Sequence, residues 1–126
     1  MGPRGTRKGF SMSHIDDFIA ARRQANEVVL AQDHLGIKRF FALDDAAYRD
    51  AALPAKVKEL CGLVASLVLR CNDCVDYHLD QLVAAGCTDD ELNEALNVAL
   101  VVGGSIVIPH LRHAFETIDL LRAEQA

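Results

Sequence analysis

Apolar residues recur at intervals of three and four along most of this chain, which is the spacing of one face of an α-helix. The pattern is clearest after Leu53-Pro54, where proline suits the first turn of a helix that runs to about Arg70. Its apolar stripe consists of Val57, Leu60, Cys61, Val64, Leu67 and Val68. The other faces are also mostly apolar after Leu60, so this segment predicts a buried, central helix.

Start and stop signals predict two elements ahead of this helix. Ser13 and Asp16 form a capping-box-like opening, and we expect the first helix to stop at Gly36, since glycine commonly ends helices. A short connecting helix is expected over Asp44–Ala51. Residues 1–12 contain three glycines and a proline without periodicity, so we expect them to form a flexible arm before a helical domain over residues 13–126.

Three more helices are predicted after the central one. The first begins near Cys71 and stops at Gly86. Residues 88–91 (T-D-D-E) form a capping box that opens the second, which the glycine pair at residues 103–104 breaks. The third carries Pro109 near its first turn or at a kink and continues to the end of the chain.

The pattern contains no clean two-residue alternation of the kind that strands show, and the β-branched run at residues 106–108 is short and abuts a proline. We therefore predict an all-α fold, a single-domain multihelical bundle of five or six helices. A length of 126 residues suits one core. A composition of 51% hydrophobic and 25% charged residues is typical of a soluble globular protein.

Charge and hydropathy argue against two classes of partner. The formal charge of -5 offers no basic surface to nucleic acid. The longest apolar stretch, Leu60–Leu69, has about half the length of a membrane-spanning helix. No apolar run follows the basic segment Arg4–Lys8, as it would in a secretion signal, so we expect a cytoplasmic protein. In that compartment the four cysteines are not expected to form structural disulfides.

Cys71 and Cys74 form a C-x-x-C pair at the start of a predicted helix. Free backbone N–H groups and the helix dipole favour an anion there, and a thiolate is such an anion. Two sulfurs three residues apart can also close a disulfide once one of them is oxidised. The pair is therefore a candidate for nucleophilic attack and resolution, and the spacing leaves open which sulfur attacks first.

His78 lies four residues after Cys74 and seven after Cys71, so all three share one helical face. An imidazole at this position can accept a proton from a thiol or deliver one to a leaving group. Glu59, on the preceding helix, can orient that imidazole if the two helices pack antiparallel. The alternative for Glu59 is a surface pair with Lys56.

Other interpretations of the cysteines remain open, namely incidental thiols or a zinc site made by Cys71, Cys74, His78 and Cys87. The zinc hypothesis is weak because three of these ligands lie within about two turns of one helix and no second motif supplies the other half. We expect no metal and no cofactor. Cys61 and Cys87 are expected to be packing residues.

His110 and His113 lie three residues apart near the start of the last helix. They are expected to be partly exposed on an amphipathic helix, or else to border a pocket.

The spacing of Glu59, Cys71, Cys74 and His78, E-x11-C-x2-C-x3-H, resembles the active-site motif of the alkylhydroperoxidase D-like branch of the carboxymuconolactone decarboxylase family. The similarity extends from about Pro54 to Leu120 and includes the segments G-C-T-D-D-E-L and A-L-N-V-A-L-V-V-G-G. It covers about half of the chain.

The resemblance implies an all-helical peroxidase that acts on organic hydroperoxides and is reset by an external dithiol. Cys71 and Cys74 would cycle between dithiol and disulfide, with Glu59 and His78 as a proton relay. One departure is that Asp73 occupies the place of a histidine in well-studied peroxidase members, and its negative charge opposes thiolate formation at Cys74.

Homotrimers or homohexamers are also implied by the resemblance. An apolar cluster around the glycine pair agrees with this, because one small core cannot hide it all. Its members are Val101, Val102, Ile106, Val107 and Ile108.

Two alternative functions compete with the peroxidase. The first is lactone decarboxylase-like chemistry with Glu59 and His78 as acid and base, which would need no thiol pair. The second is a non-catalytic redox sensor or interaction module whose disulfide changes a partner surface.

Overall fold

Six α-helices follow one another along the chain in this computed structural model, which describes the backbone of residues 3–125 and the side chains of residues 15–125. They are α1 (Pro3–Ala31), α2 (Leu35–Ala47), α3 (Ala55–Val68), α4 (Asn72–Ala84), α5 (Asp89–Gly103) and α6 (Ile108–Gln125), with a 3-10 turn at Ser105–Val107 before α6. No strand occurs among residues 3–125. The predicted all-α class and the number of helices are confirmed.

The break between α1 and α2 differs from the prediction. Helix α1 ends at Ala31, Asp33 adopts a left-handed conformation with φ 55°, and the His34 side chain accepts a hydrogen bond from the backbone N–H of Gly36 at 3.1 Å. Gly36 therefore lies in the first turn of α2, and the predicted stop there is wrong. A histidine cap and a strained aspartate make the break that the pattern assigned to glycine.

The short helix predicted over residues 44–51 is also wrong. Residues 44–47 are the last turn of α2, and the following residues to Pro54 form turns and bends. The hydrogen bond from the backbone N–H of Ala55 to the Asp50 carboxylate (2.6 Å) ties this connection to the start of α3. Local side-chain bonds thus replace the helix that propensity suggested.

The predicted starts and stops from Pro54 onward match the structure to within one or two residues. Pro54 is the N-cap of α3, and the capping box of α5 is complete, with hydrogen bonds of 3.1 and 2.9 Å between Thr88 and Glu91. Gly86 and Gly104 both have a φ of 81°, which L-residues rarely adopt. These glycines therefore end α4 and α5 as expected.

Helix α3 is central, since it packs against both α4 and α5, while α4 also packs against α6 and α6 against α1. Cys87 is 1% exposed, which confirms it as a packing residue, whereas Cys61 is exposed, so its predicted packing role is wrong. The core side chains come from α1 and from every element after α2: Ile15, Leu63, Leu67, Val75, Leu79, Leu82, Val83, Cys87, Leu92, Leu96, Ala99, Val107, Ala114, Ile118 and Leu121.

Helix α1 begins at Pro3, so the helix start predicted at Ser13 is wrong. The separation of residues 1–12 from a domain over residues 13–126 stays a prediction. Within the described part of the chain, no helix has the length and hydropathy that crossing a membrane requires.

An acidic contact between α1 and α6 is expected to make stability depend on pH. A hydrogen bond with Asp16, together with burial and the charges of Asp16 and Asp80, raises the pKa of Glu124 from its ordinary 4.5 to about 7. A carboxyl whose pKa is raised by folding contributes stability below its unfolded pKa and loses it as the pH rises through the folded value. This contribution is therefore present at about pH 4.5 and lost above about pH 7.

Thermal unfolding of wild type and Glu124→Gln across this pH range tests the effect. The amide keeps a hydrogen bond without titrating, so the midpoint of wild type should fall relative to that of the variant as the pH rises. Glu116→Gln, an exposed site on α6, is the matched control and should show no such trend. A wild-type-to-variant difference that is constant with pH would contradict the assignment.

Candidate active site

The first turn of α4 holds the two cysteines of the C-x-x-C pair. Cys71 is the N-cap residue, with an extended backbone, and its sulfur accepts a hydrogen bond from the backbone N–H of Cys74 at 3.3 Å. The two cysteines are joined in a disulfide, and their Cα atoms lie 5.3 Å apart, within the usual range for such a bond. One free N–H group of this turn, that of Cys74, is thus directed at sulfur, in agreement with the predicted helix start.

The two sulfurs differ in their access to solvent. Cys74 is exposed and lines an open pocket of about 190 Å³, whereas Cys71 is half-buried behind it. The other residues lining this pocket are Arg22, Asp44, Tyr48, Asp73, Tyr77 and His78. A small molecule entering the pocket therefore meets Cys74 before Cys71.

His78 and Glu59 form a buried pair behind the pocket. Each is 7% exposed, and His78 Nδ1 lies 2.7 Å from Glu59 Oε1, which confirms the expected contact between α3 and α4. In a neutral imidazole whose Nδ1 donates to this carboxylate, the other ring nitrogen, Nε2, carries the lone pair. Lys56 pairs instead with Glu91 at 2.8 Å, so the surface alternative for Glu59 is wrong.

Gly62 permits the close approach of His78 to α3, a role that sequence analysis missed. A β-carbon at this position would lie 2.5 Å from His78 Cε1, 2.7 Å from His78 Nε2 and 2.9 Å from the Tyr48 hydroxyl oxygen. The only signal in the sequence is a glycine inside an otherwise apolar helix, where it lowers helix propensity. The space it leaves holds the imidazole.

Gly62→Ala is expected to displace His78 and to slow oxidation of the thiol pair by at least about tenfold, because the imidazole is buried and cannot move without lengthening its bond to Glu59. Overpacking costs about 1–3 kcal/mol, partly offset by about 1 kcal/mol of helix propensity. Thermal unfolding and the rate of thiol loss measure the two effects. Gly103→Ala, which collides with Val107 in the core, is the control: it should lower stability and leave the rate unchanged.

Two tyrosines and an arginine complete the pocket, and none of them was singled out from the sequence. The ring centroids of Tyr48 and Tyr77 lie 5.5 and 5.3 Å from that of His78. Arg22 of α1 lies over the Tyr77 ring at 4.0 Å. Burial and the nearby Glu59 carboxylate raise the pKa of both phenols, so they remain neutral hydrogen-bond donors.

Helix α6 fixes α4 from the side away from α3. Asp76 is buried and accepts hydrogen bonds from Thr117 at 2.6 Å and from His113 Nε2 at 2.9 Å, while His110 Nδ1 lies 2.8 Å from the Asn72 side-chain oxygen. Both histidines are half-buried, as expected, but they hold the helix that carries the cysteines. Such tertiary contacts have no signal in the local sequence.

The four residues of the zinc hypothesis do not come together. Cys87 follows the far end of α4, roughly 20 Å along the helix axis from Cys71. Among the described residues, no group of three or more histidine, cysteine, aspartate or glutamate side chains is arranged to hold a metal ion.

A model of the carboxymuconolactone decarboxylase family matches residues 37–117, well over half of the chain. The chain belongs to the carboxymuconolactone decarboxylase family. The matched region contains the disulfide, His78 and Glu59, together with Tyr48 and Gly62, whereas Arg22 lies before it.

Solved structures of the carboxymuconolactone decarboxylase family share this fold. One from Thermotoga maritima is 55% identical with a TM-score of 0.83, covers 86% of this chain and 92% of its own, and is described in connection with an antioxidative response. One from Legionella pneumophila is 27% identical with a TM-score of 0.73 and covers 87% of this chain and 96% of its own.

Curated relatives are described only as uncharacterized proteins. One from Cupriavidus necator is 33% identical over 78 residues, which cover 62% of this chain and 69% of the relative. One from the cox locus of Paracoccus denitrificans is 26% identical over 80 residues, which cover 64% of this chain and 72% of the relative.

Proposed function

We propose that this carboxymuconolactone decarboxylase family member is a thiol-dependent peroxidase of the alkylhydroperoxidase D-like branch, which reduces organic hydroperoxides. The observation that carries the proposal is the position of Cys74: its sulfur is accessible, is paired with Cys71, and shares a pocket with His78, whose Nδ1 is bound to the buried Glu59. The antioxidative description of the Thermotoga maritima neighbour supports it.

The proposed cycle starts with a proton transfer from the Cys74 thiol toward His78 Nε2, while Glu59 stabilises the imidazolium that forms. The Cys74 thiolate attacks the terminal oxygen of the hydroperoxide, the O–O bond breaks and a sulfenic acid forms. The leaving oxygen becomes an alcohol by taking up a proton that the His78 imidazolium supplies. Cys71 then displaces water and closes the disulfide, so the cysteine pair gives up two electrons. An external dithiol restores the two thiols by exchange.

Asp73 modifies this scheme, because it is exposed in the first turn of α4 and lines the same pocket as Cys74. Its carboxylate interacts favourably with the positive end of the helix dipole, but its negative charge disfavours formation of a thiolate nearby. We therefore expect a slower thiol than in family members with a histidine at this position. Deprotonation of the Cys74 thiol would therefore depend more strongly on the Glu59–His78 pair as its base.

Stopped-flow oxidation with thiol counting tests the function. Reduced protein receives one addition of an alkyl hydroperoxide, and free thiols are titrated over time in wild type and in Cys71→Ser. Rapid loss of two thiols per chain in wild type, and of no more than one in the variant, is the expected result. Slow loss shared by both would contradict a peroxidatic pair.

Decarboxylase chemistry is the second candidate, because the family model carries that name and a buried carboxylate–imidazole pair can serve as base and acid. A Cys71→Ser, Cys74→Ser double variant separates the two candidates. Activity on a lactone acid that survives in this variant would favour the decarboxylase. Slow oxidation of the wild-type thiol pair without turnover would instead favour the redox sensor.

A homotrimer or homohexamer in the cytoplasm is part of the proposal. Of the apolar cluster near the glycine pair, Val107 is in the core, but Val101 is 77% exposed, Val102 67% and Ile106 55%. Exposed apolar patches of this kind typically mark contacts between subunits. Light scattering is expected to give three or six chains at micromolar concentration, and a monomer would contradict it.

A further inference from the structure

The hydroxyl of Tyr48 lies close to the imidazole of His78 in the pocket that Cys74 lines. Tyr48, Cys74 and His78 line one pocket. The position that a β-carbon of residue 62 would occupy lies 2.7 Å from His78 Nε2 and 2.9 Å from the Tyr48 hydroxyl oxygen. The phenol oxygen and the imidazole nitrogen are therefore close neighbours on the same side of α3.

Several features suit this hydroxyl to act as an acid. Among the hydrogen bonds of the described residues, none uses the Tyr48 hydroxyl, so its proton is available to a bound molecule. Burial and the Glu59, Asp44 and Cys61 groups raise its pKa, which keeps the phenol protonated at neutral pH. Tyr77, the second tyrosine of the pocket, has Arg22 over its ring, and its hydroxyl is not among the three atoms nearest to that position beside Gly62.

We propose that Tyr48 is a further catalytic residue, which donates its proton to the oxygen that leaves when Cys74 attacks a hydroperoxide. The proposal rests on the peroxidase function above. Attack by the thiolate transfers the terminal OH to sulfur and pushes an electron pair onto the leaving oxygen. That oxygen takes the proton of Tyr48, and the tyrosinate regains one from the imidazolium of His78, so proton and charge balance.

The consequence is a preference for hydroperoxides whose leaving group is strongly basic. An alkoxide leaves poorly without a proton, so alkyl hydroperoxides depend on a neighbouring acid, whereas the carboxylate released from a peracid leaves readily without one. A proton donor at Tyr48 therefore suits this site to alkyl hydroperoxides as its substrate class. It also gives the pocket two separate functions, the base at His78 and the acid at Tyr48.

Comparing two oxidants on Tyr48→Phe tests this role. The variant keeps the ring beside His78 and loses only the hydroxyl. With tert-butyl hydroperoxide, the rate of thiol loss is expected to fall by about 10²-fold, the lower end of what general acid catalysis contributes. With peracetic acid, the rate should stay within about threefold of wild type, since acetate needs no proton to leave.

The peracid rate of the same variant controls for folding and for the state of the thiol pair. An equal loss with both oxidants would show that Tyr48 only positions other groups, and no loss with either would show that it takes no part; each result overturns the proposal. The rate of thiol loss in wild type tests the proposed function separately. If wild type itself loses no thiols rapidly to either oxidant, the peroxidase function fails.

Discussion

Cys74→Ser is expected to abolish peroxide reduction, with a rate at least about 10³-fold below wild type, as for other enzymes that lose their nucleophile. Cys71→Ser should still react once, because the accessible sulfur remains, and should stop at the sulfenic acid. The physical reason is the difference in access: Cys74 lines the pocket with His78, and Cys71 caps the helix behind it. Mass spectrometry after trapping with a sulfenic-acid reagent measures the result.

Cys61→Ser is the matched control for this pair. Cys61 is a free, exposed cysteine on α3, so its loss should change the starting thiol count by one and leave the oxidation rate unchanged. If instead Cys71→Ser were inert and Cys74→Ser formed a sulfenic acid, the order of attack would be reversed. The disulfide would then be made by Cys74 as the resolving residue.

The second large effect is expected from Glu59→Gln, which should slow thiol oxidation by about 10²-fold. The glutamine oxygen can still accept the proton of His78 Nδ1, so the imidazole keeps its orientation, but the negative charge that stabilises imidazolium is gone. The rate of oxidation in stopped flow and the rate at which iodoacetamide alkylates the reduced protein should fall together. Both report how readily the Cys74 thiolate forms.

Glu59→Ala distinguishes charge from placement. It leaves the buried His78 without a partner, which should lower the free energy of unfolding by about 1–3 kcal/mol in addition to slowing oxidation. Glu91→Gln removes a carboxylate that pairs with Lys56 at the surface, and it should leave the oxidation rate unaltered. A wild-type rate in Glu59→Gln would exclude the carboxylate from the proton path.

The prediction from sequence succeeded where interactions are local in the chain. The capping box at Thr88, the glycines that end α4 and α5, and the position of Cys71 at a helix start all depend on residues within four positions of one another. The same holds for the shared face of Cys74 and His78, since helix geometry fixes it. Local inference also failed in places. The helix stop at Gly36 and the short helix over residues 44–51 are not observed, and Cys61 follows the apolar spacing of α3 yet is exposed.

The sequence by itself determined the all-α class, the start of α4 and the thiol pair on the face of His78, because backbone hydrogen bonding and helix periodicity act over a few residues. Only the tertiary structure decided which groups surround that pair. Tyr48 comes from the end of α2, Arg22 from α1 and Gly62 from α3, and none shares a local motif with the cysteines. Their convergence results from packing of helices that are distant in the chain, and spacing along one helix carries no information about it.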